Sequence, residues 1–477
     1  MTPLWSRGAF FYQIFPDRFF RSGPPGLPVP TGPFEAWEAP PSLRGFKGGT
    51  LYGVAEKLPY LAELGVEAIY LNPVFTSTAN HRYHTVDYLQ VDPILGGNQA
   101  LRYLLEKAHG LGIRVILDGV FNHSGRGFFA FQHLLENGPE SPYRDWYLVR
   151  GFPLNAYGQS PNYEAWWGNP ELPKFNHQNP EVRAYLLKVA EHWVHFGIDG
   201  WRLDVPNEIG DLEFWRAFRR RVKGVNPEAY LVGEIWDEAL EWLQGDIFDA
   251  TMNYPLARAL LGFVGGEELD RELAARSGLG QLEPLQALDF SHRLERLFSL
   301  YREEVVQSQL NLLTSHDTPR LLSLLRGNRN RARLALTLLF LLPGSPMVYY
   351  GEEIGMEGGH DPENRAGMVW DEARWDQGLL ARVRRMARLR KDLPELRTAP
   401  YQRIYAAHGH LAFARGRLLV VVNATPEAYP QDLPLHGLWP RGGEAEDLLS
   451  GARARVEGGR LKAPPLPPFE AALWREL

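Results

Sequence analysis

A (β/α)₈ barrel with two added segments is the fold class that this sequence predicts. Eight short apolar runs have the length of buried parallel strands, and stretches of helical period lie between them. Strands that alternate with helices in this way favour a closed parallel barrel. The 477 residues provide room for such a barrel, which takes about 250 residues, and for further domains.

The barrel elements can be placed along the chain in order. The predicted strands occupy residues 10–15, 67–72, 113–118, 199–205, 230–235, 247–252, 309–314 and 346–350. The helical patterns between them occupy residues 54–64, 98–111, 180–196, 211–223, 255–262 and 329–341. The 180–196 helix has a clear start, because Asn179 is a good N-cap and Pro180 suits the first helical position.

Two stretches depart from the strand–helix alternation. Roughly sixty residues rich in Gly, Pro, Trp and Tyr follow the third strand, and loops of such length are usually functional. We therefore expect residues 124–176 to form an inserted subdomain over the barrel mouth. Near the C-terminus the runs become short and alternating, with Gly/Pro turn signals, which predicts an antiparallel β-sandwich domain over residues 396–477. The barrel is assigned residues 1–123 and 177–395.

Composition argues against several classes of protein. The chain has no cysteine, which excludes disulfides, thiolate metal sites and cysteine nucleophiles. A net charge of −6 without a run of Lys or Arg predicts no nucleic-acid or membrane-surface partner. No apolar stretch approaches the ~18 residues of a membrane span, and the first residues do not resemble a signal peptide. A cytoplasmic protein is expected, and the oligomeric state is left open.

Three acidic residues directly follow predicted strands: Asp204 in GIDGWRLDV, Glu234 in YLVGEIW and Asp317 in LNLLTSHD. In a (β/α)₈ barrel the carboxyl ends of the strands carry the catalytic residues. Arg202 shares a strand face with Asp204, and we expect it to lower the pKa of that carboxyl, as suits a nucleophile. The apolar neighbours of Glu234 are expected to raise its pKa, as suits a general acid.

Each of these residues also has a plainer interpretation. An Arg–Asp pair can simply hold two strands together, and a glutamate at a strand end can simply be solvated. Metal binding is a further alternative, because Asp118, His123, His316 and Asp317 also lie at strand ends. The sequence has no HExxH or comparable cluster, however, which disfavours a catalytic metal.

Four ordered motifs carry a resemblance to a known family. They are DGVFNH (118–123), GWRLDVPNE (200–208), GEIW (233–236) and TSHD (314–317), and together they resemble the signature regions of the α-amylase family of glycoside hydrolases. Within that family, YQIFPDRF (12–19), YEAWWGNPELPKFN (163–176) and the PNE after Asp204 are most similar to the neopullulanase, cyclomaltodextrinase and maltogenic amylase group. The similarity extends over nearly the whole chain.

The resemblance implies a retaining glycosidase that cleaves α-glucosidic bonds, mainly α-1,4, of maltodextrins, cyclodextrins or pullulan, with transfer to a sugar acceptor as a second outcome. It implies that Asp204 is the nucleophile, Glu234 the general acid/base and Asp317 the transition-state stabiliser. The substrate-binding residues that it implies are Tyr83, Asp118, His123, Arg202, Glu208, His316, Asp361 and Arg365. Tyr163, Trp166 and Trp167 in the inserted segment suit stacking on sugar rings.

Other activities of the same family remain as alternatives: an exo-acting α-glucosidase, or a glucosyltransferase or isomerase. A non-catalytic carbohydrate-binding homologue is disfavoured, because such a protein tolerates the loss of a carboxylate and all three are present here.

The chain also departs from the pattern of the group. The resemblance implies no required cofactor. Asn122 matches a calcium ligand of many family members, but RSGPPG (21–26) lacks the Asn/Asp-rich run that binds calcium near the first strand. His84 stands where the group commonly has Asp. The barrel begins by about residue 10, so the N-terminal β-domain usual in the group is expected to be absent. Dimerisation and a preference for cyclodextrins are therefore left open.

Overall fold

Eight parallel strands form a closed barrel, as the sequence predicts. The computed structural model describes residues 1–158 and 160–477. The strands are β1 (Phe11–Ile14), β2 (Ala68–Leu71), β3 (Arg114–Gly119), β4 (Gly200–Leu203), β5 (Tyr230–Gly233), β6 (Ala250–Thr251), β7 (Leu310–Asn311) and β8 (Ser345–Tyr349). The strands from β1 to β6 pair successively in chain order. β7 pairs with β8, and β8 pairs with β1. A parallel bridge between Met252 and Leu310 closes the ring.

Strands β6 and β7 are shorter than the apolar runs that predicted them. At this seam side chains replace part of the backbone ladder: Thr251 N–H donates to Gln309 Oε1 at 2.7 Å. Nearby, Asn253 Nδ2 donates to Asn311 Oδ1 at 2.9 Å. The runs at 247–252 and 309–314 are buried as predicted, but burial alone does not require a long ladder.

The helices agree with the sequence pattern with three differences. Five of the six predicted helices have the predicted bounds to within three residues, and Asn179 Oδ1 accepts the N–H of Glu181 at 2.8 Å as the N-cap. The pattern at 54–64 forms two helices that meet at Lys57, and the helices 287–299 and 377–392 were not predicted. The helices are Leu51–Glu56, Leu58–Leu64, Gly97–Gly110, Phe129–Asn137, Pro180–Phe196, Pro206–Ile209, Leu212–Val225, Tyr254–Gly265, Arg271–Ala275, Ala287–Ser299, Glu303–Ser308, Leu321–Leu324, Arg329–Leu341, Gln377–Asp392 and Pro394–Thr398.

Two segments outside the barrel helices approach its carboxyl end. A hairpin of Phe75–Ser77 and Thr85–Val91 follows β2. The long stretch after β3 holds the helix Phe129–Asn137 and is tied together by antiparallel bridges such as Tyr147–Phe175 and His123–Lys174. This is the stretch for which the sequence predicted an inserted subdomain, and its limits at 124 and 176 stay a prediction.

The C-terminal part is an antiparallel β-domain of eight strands, as predicted. Its strands are β9 (Tyr401–Ala407), β10 (His410–Arg415), β11 (Leu418–Asn423), β12 (Tyr429–Pro434), β13 (Gly443–Asp447), β14 (Arg453–Glu457), β15 (Arg460–Leu466) and β16 (Glu470–Glu476). They enclose a separate apolar core that includes Trp439 and Trp474. Arg415 is fully buried and donates to the carbonyl oxygens of Leu341 and Leu396, which fastens this domain to the barrel.

No helix among those of residues 1–158 and 160–477 combines the length and hydropathy that a bilayer span requires.

Gly200 provides a test of how closely β4 and β5 must approach. A Cβ at this position would overlap the carbonyl oxygen of its paired residue, Tyr230. We expect Gly200→Ala to lower the free energy of unfolding by about 3 kcal/mol, because overpacking against backbone cannot relax. Gly224→Ala is the control, since a Cβ there meets nothing within 4 Å and should stabilise its helix by about 0.5–1 kcal/mol. Urea denaturation midpoints measure both changes, and equal midpoints for the two variants would contradict the expectation.

Candidate active site

The three carboxylates predicted to be catalytic line one cavity at the barrel mouth. Asp204 directly follows β4 and Glu234 directly follows β5, while Asp317 lies in the loop after β7. The backbone N–H groups of Asp204 and Glu234 continue the strand pairing, since they donate to Gly119 and Leu203 carbonyl oxygens at 3.0 and 2.9 Å. The cavity has a volume of about 250 Å³.

The cavity also contains five of the eight residues predicted to bind substrate. These are Tyr83, His123, His316, Asp361 and Arg365. Asp118 and Arg202 are buried beneath its floor, and Glu208 lies outside the lining, on the helix 206–209. The remaining lining residues are His81, His84, Trp166, Asn169, Leu172 and Val205. Among these, His81, Asn169, Leu172 and Val205 were assigned no role in the prediction. Asn169, Leu172 and Val205 lie within motifs that carry the family resemblance, so that resemblance was the signal that could have found them.

Arg202 lies at the centre of the charged groups. It is fully buried, and its Nη1 donates to Asp118 Oδ1 at 2.9 Å and to Asp204 Oδ1 at 3.0 Å. Its Nη2 lies 3.0 Å from Glu234 Oε2, but without the alignment of a hydrogen bond. One guanidinium is therefore shared by three buried carboxyl groups, and it hydrogen-bonds to two of them.

The expectation that Arg202 would give Asp204 a low pKa was wrong. Burial raises the pKa of Asp204 well above its ordinary value, and the nearby charge of Glu234 raises it further. Arg202 acts in the opposite direction but is shared with Asp118 and Glu234. Burial also raises the pKa of Glu234, as predicted. Neighbouring carboxyl groups of this kind titrate together. The pair therefore holds one shared proton more readily than it carries two negative charges.

Both oxygens of Glu234 are held by N–H donors. Val205 N–H donates to Oε2 at 3.0 Å and Trp236 Nε1 donates to Oε1 at 3.1 Å. Val205 adopts φ 34° and ψ 53°, which is rare for a β-branched residue and costs on the order of 1–3 kcal/mol. The strained backbone aims its N–H at the carboxylate, so Glu234 is fixed in place before any ligand arrives.

A hydrogen-bonded chain positions Tyr83 and His316 at the cavity wall. Gln13 Nε2 donates to His316 Nδ1 at 2.9 Å, which places the imidazole proton on Nε2. That Nε2 lies 2.8 Å from Tyr83 Oη, and the Tyr83 hydroxyl donates to Asp118 Oδ2 at 2.7 Å. Burial lowers the pKa of His316 well below its usual range, so the ring is neutral.

His123 is a second neutral imidazole. Burial lowers its pKa to about 3. Asn122 Nδ2 donates to its Nδ1 at 3.2 Å, which leaves the proton on Nε2. A neutral imidazole that carries its proton on Nε2 suits hydrogen bonding to a hydroxyl oxygen.

Asn122 itself was the candidate calcium ligand. Calcium binds six to eight oxygen ligands, usually with several carboxylates. Within residues 1–158 and 160–477, no group of three or more His, Cys, Asp or Glu side chains has the arrangement of a metal site. Asn122 Oδ1 is buried and has no hydrogen-bond partner among residues 1–158 and 160–477, so calcium binding at Asn122 stays a prediction.

Arg365 joins the third carboxylate to the far side of the cavity. Its Nη2 donates to Asp317 Oδ1 at 3.3 Å, and its Nη1 lies 3.1 Å from Asp361 Oδ2. Its Nε donates to the carbonyl oxygen of His316 at 3.0 Å. Asp317 is thus oriented by an ion pair while its side chain stays 35% exposed to the cavity.

The predicted aromatic residues of the inserted segment divide into two kinds. Trp166 lines the cavity and Trp167 is exposed beside it. Tyr163 was expected to be available for stacking, but this was wrong: it is 1% exposed and packs on Phe131 with ring centroids 5.1 Å apart. It contributes to the core of the segment.

The chemistry available to this cavity follows from its groups. A pair of carboxyls that favours one shared proton can protonate a leaving oxygen and attack the carbon that loses it. A third carboxylate can stabilise positive charge on that carbon. Neutral imidazoles, a tyrosine hydroxyl and an arginine surround the pair as hydrogen-bonding groups.

Two family models match the chain. The model described as "Alpha amylase, catalytic domain" matches residues 13–388. The model described as "Neopullulanase-like, C-terminal domain" matches residues 401–475.

Known proteins of similar sequence and structure cover the full chain. A crystal structure from Thermus thermophilus is 75% identical, with a TM-score of 0.97, and the match covers 99% of this chain and 100% of that one. The native debranching enzyme of Nostoc punctiforme is 42% identical, with a TM-score of 0.89, over 100% of this chain and 99% of that one. A cyclomaltodextrinase of Geobacillus thermopakistaniensis is 40% identical over 99% of this chain and 78% of its own length.

Removing Arg202 tests its role as the shared counter-charge. We expect Arg202→Leu to lower the free energy of unfolding by about 3–5 kcal/mol near neutral pH, because three buried carboxyls lose their partner. Because burial holds their folded-state pKa above the unfolded value, the folded state binds protons more tightly than the unfolded one. Stability is therefore lost as pH rises through the folded pKa, and without the guanidinium that loss is larger.

The difference in free energy of unfolding between the parent protein and Arg202→Leu should thus grow as pH increases from about 5 to about 8. Urea denaturation at each pH measures it. Arg202→Lys, which keeps a positive charge, should show a smaller dependence. A deficit independent of pH would contradict this account of the charges.

Proposed function

Because this chain belongs to the α-amylase family of glycoside hydrolases, we propose that it cleaves α-glucosidic bonds of maltodextrins, cyclodextrins or pullulan with retention of configuration. It is an α-glucan hydrolase by membership of this family. The observation that carries the proposal is the meeting of Asp204, Glu234 and Asp317 in one cavity above the buried Arg202. Hydrolysis with retention needs a nucleophile and a separate acid/base, both of them carboxyl groups.

In the proposed mechanism, Glu234 protonates the glycosidic oxygen while Asp204 attacks C1. The bond to the leaving sugar breaks, and a covalent glycosyl-enzyme intermediate forms. Glu234, now a carboxylate, removes a proton from water, which attacks C1 and releases Asp204. Asp317 stabilises the positive charge that develops on the sugar ring in both steps. A sugar hydroxyl in place of water gives a transfer product.

The hydrogen bonds support this division of roles. Arg202 Nη1 hydrogen-bonds to Asp204 Oδ1, which stabilises the carboxylate form of Asp204 that attacks C1. The first step requires that the proton of this pair be on Glu234. When Glu234 has lost that proton, the N–H groups of Val205 and Trp236 stabilise the carboxylate that acts as the base.

The surrounding residues suit the binding of a sugar. We assign the Nε2–H donor of His123, which has no partner among residues 1–158 and 160–477, to a hydroxyl of the ring undergoing reaction, with Tyr83 stacked beside that ring. His316 is assigned to the same ring, and its Nε2–H reaches a sugar hydroxyl by giving up its hydrogen bond to Tyr83 Oη. Asp361 and Arg365, at the far wall, are assigned to the neighbouring sugar. Asp118 acts from below, through Tyr83 and Arg202. Glu208 is assigned to the leaving-sugar side, near the cavity but outside its lining.

Cleavage of α-1,6 bonds is the second candidate activity. It is favoured by the similarity to the Nostoc punctiforme debranching enzyme over the whole chain. The exo-acting α-glucosidase and the glucosyltransferase or isomerase are further alternatives, ranked below these two activities. The cytoplasmic location stays a prediction from the sequence.

Product identification tests the proposed specificity. The purified protein should open β-cyclodextrin and cleave maltotriose, and it should release panose from pullulan if it cleaves α-1,4 bonds there. Release of maltotriose from pullulan would instead favour α-1,6 cleavage. Glucose released singly from chain ends would contradict both and favour the exo-acting alternative. Chromatography of timed samples distinguishes these results.

Carboxylate-to-amide variants test the three roles. Asp204→Asn, Glu234→Gln and Asp317→Asn should each lower kcat on maltotriose by about 10³-fold or more with the fold intact. Glu213→Gln, an exposed carboxylate on the helix 212–225, is the matched control and should be unchanged. On α-maltosyl fluoride, whose leaving group needs no proton, Glu234→Gln should still form the covalent intermediate with a burst of fluoride. A similar burst from Asp204→Asn would contradict the assignment of Asp204 as the nucleophile and of Glu234 as the general acid/base.

A further inference from the structure

Trp167 is unusual among the tryptophans of this chain. It is 81% exposed, while the other thirteen Trp side chains, all in the described residues, are buried or partly buried. It also has φ 51° and ψ 30°, a left-handed conformation that side chains other than glycine seldom adopt. The exposure of the indole ring and the left-handed backbone are each energetically unfavourable. Such outliers concentrate at binding sites.

The position of the ring is defined by its neighbour. Trp167 stacks on Trp166, with ring centroids 4.6 Å apart and an interplanar angle of 13°. One face of the Trp167 ring is therefore covered, and the high exposure leaves the other face open to solvent. Trp166 lines the catalytic cavity and Trp167 does not, so the open face lies just outside the cavity.

The loop that carries both rings is held by a set of hydrogen bonds. Trp166 N–H donates to Leu172 O at 3.0 Å, and Asn169 N–H donates back to Trp166 O at 3.0 Å. Asn169 Oδ1 accepts the N–H of Glu171 at 3.0 Å. The exposure of Trp167 is thus imposed by a hydrogen-bonded turn.

A second observation points to a ligand at this place. Trp166 Nε1 is buried and has no hydrogen-bond partner among residues 1–158 and 160–477. A buried N–H without a partner is unfavourable, and indole N–H groups usually find an acceptor. A sugar hydroxyl in the cavity would supply an oxygen to Trp166, while the next ring along the chain would meet Trp167.

We propose that Trp167 is a stacking platform for a glucosyl unit of the bound α-glucan beyond the units held in the catalytic cavity. The apolar C–H face of a pyranose packs on an aromatic plane, and the open face of Trp167 is such a plane. The proposal rests on the α-glucan substrate of the proposed function and adds a residue that selects for chain length. Trp167 positions substrate and takes no part in the bond changes.

The test compares ligands of two lengths. In a Glu234→Gln background, titration calorimetry measures the Kd of maltose and of maltoheptaose with and without Trp167→Ala. Loss of one stacking contact should weaken maltoheptaose binding about threefold to tenfold, while maltose binding is unchanged. In the otherwise unaltered enzyme, the same substitution should raise KM for maltoheptaose with little change in kcat.

Further variants separate stacking from folding. Trp167→Tyr keeps an aromatic face and should restore most of the affinity for maltoheptaose. Trp167→Gly removes the ring but relaxes the left-handed backbone, so it should repeat the loss seen with alanine. Leu111→Ala is the control, because Leu111 is 50% exposed and precedes β3 at the opposite end of the barrel.

Two results would overturn the proposal. An equal loss of affinity for both ligands would mean that Trp167 only supports Trp166, and no change for either ligand would mean that it is an idle surface residue. A parent enzyme that neither binds nor hydrolyses maltoheptaose would instead refute the proposed function. The two failures are therefore distinguishable.

Discussion

The arrangement of charged groups at the carboxyl end of this barrel depends on one buried guanidinium, that of Arg202. Arg202 is fully buried, hydrogen-bonds to Asp118 and Asp204, and approaches Glu234 to 3.0 Å. One positive charge cannot neutralise three carboxylates, so the group as a whole favours an additional proton. That imbalance is what a retaining acid/base pair needs at the start of its cycle. Strand pairing between β3, β4 and β5 sets these distances, because the four side chains lie on these adjacent strands or directly after them.

The remainder of the cavity is arranged before substrate arrives. The chain from Gln13 through His316 and Tyr83 to Asp118 fixes the tautomer of one imidazole, and Asn122 fixes that of His123. Both rings are neutral because they are buried. Donors that are held in fixed positions can orient sugar hydroxyls without reorganising when the ligand binds. The polar groups are few, but each is committed to one orientation.

Much of this could be predicted from the sequence, for identifiable reasons. β1 to β5 were found because continuous apolar runs reflect burial on both faces, and the position of Asp204 and Glu234 after them follows directly. The pKa of Asp204 could not be predicted, because it depends first on burial and then on Glu234 and Asp118, which are remote in sequence. Val205 gave no signal either: a valine before proline favours extended backbone, and tertiary packing imposes φ 34° on it. The helices 287–299 and 377–392 were missed because charged residues interrupt them, although their apolar residues recur at helical spacing.

The strands on the two sides of the seam between β6 and β7 differ in the length of their hydrogen-bonded ladders. Asp204 and Glu234 extend full ladders on strands that are paired on both sides, whereas β7 spans two residues and shares one bridge with the segment that follows β6. Asp317 follows that short strand on a loop and is oriented chiefly by Arg365. Nucleophilic attack and proton transfer tolerate little error in distance, but attraction between opposite charges falls off gradually. The side of the ring with the longer ladders thus carries the two groups proposed to make and break bonds, and the side with the single bridge carries the one whose proposed contribution tolerates small displacements.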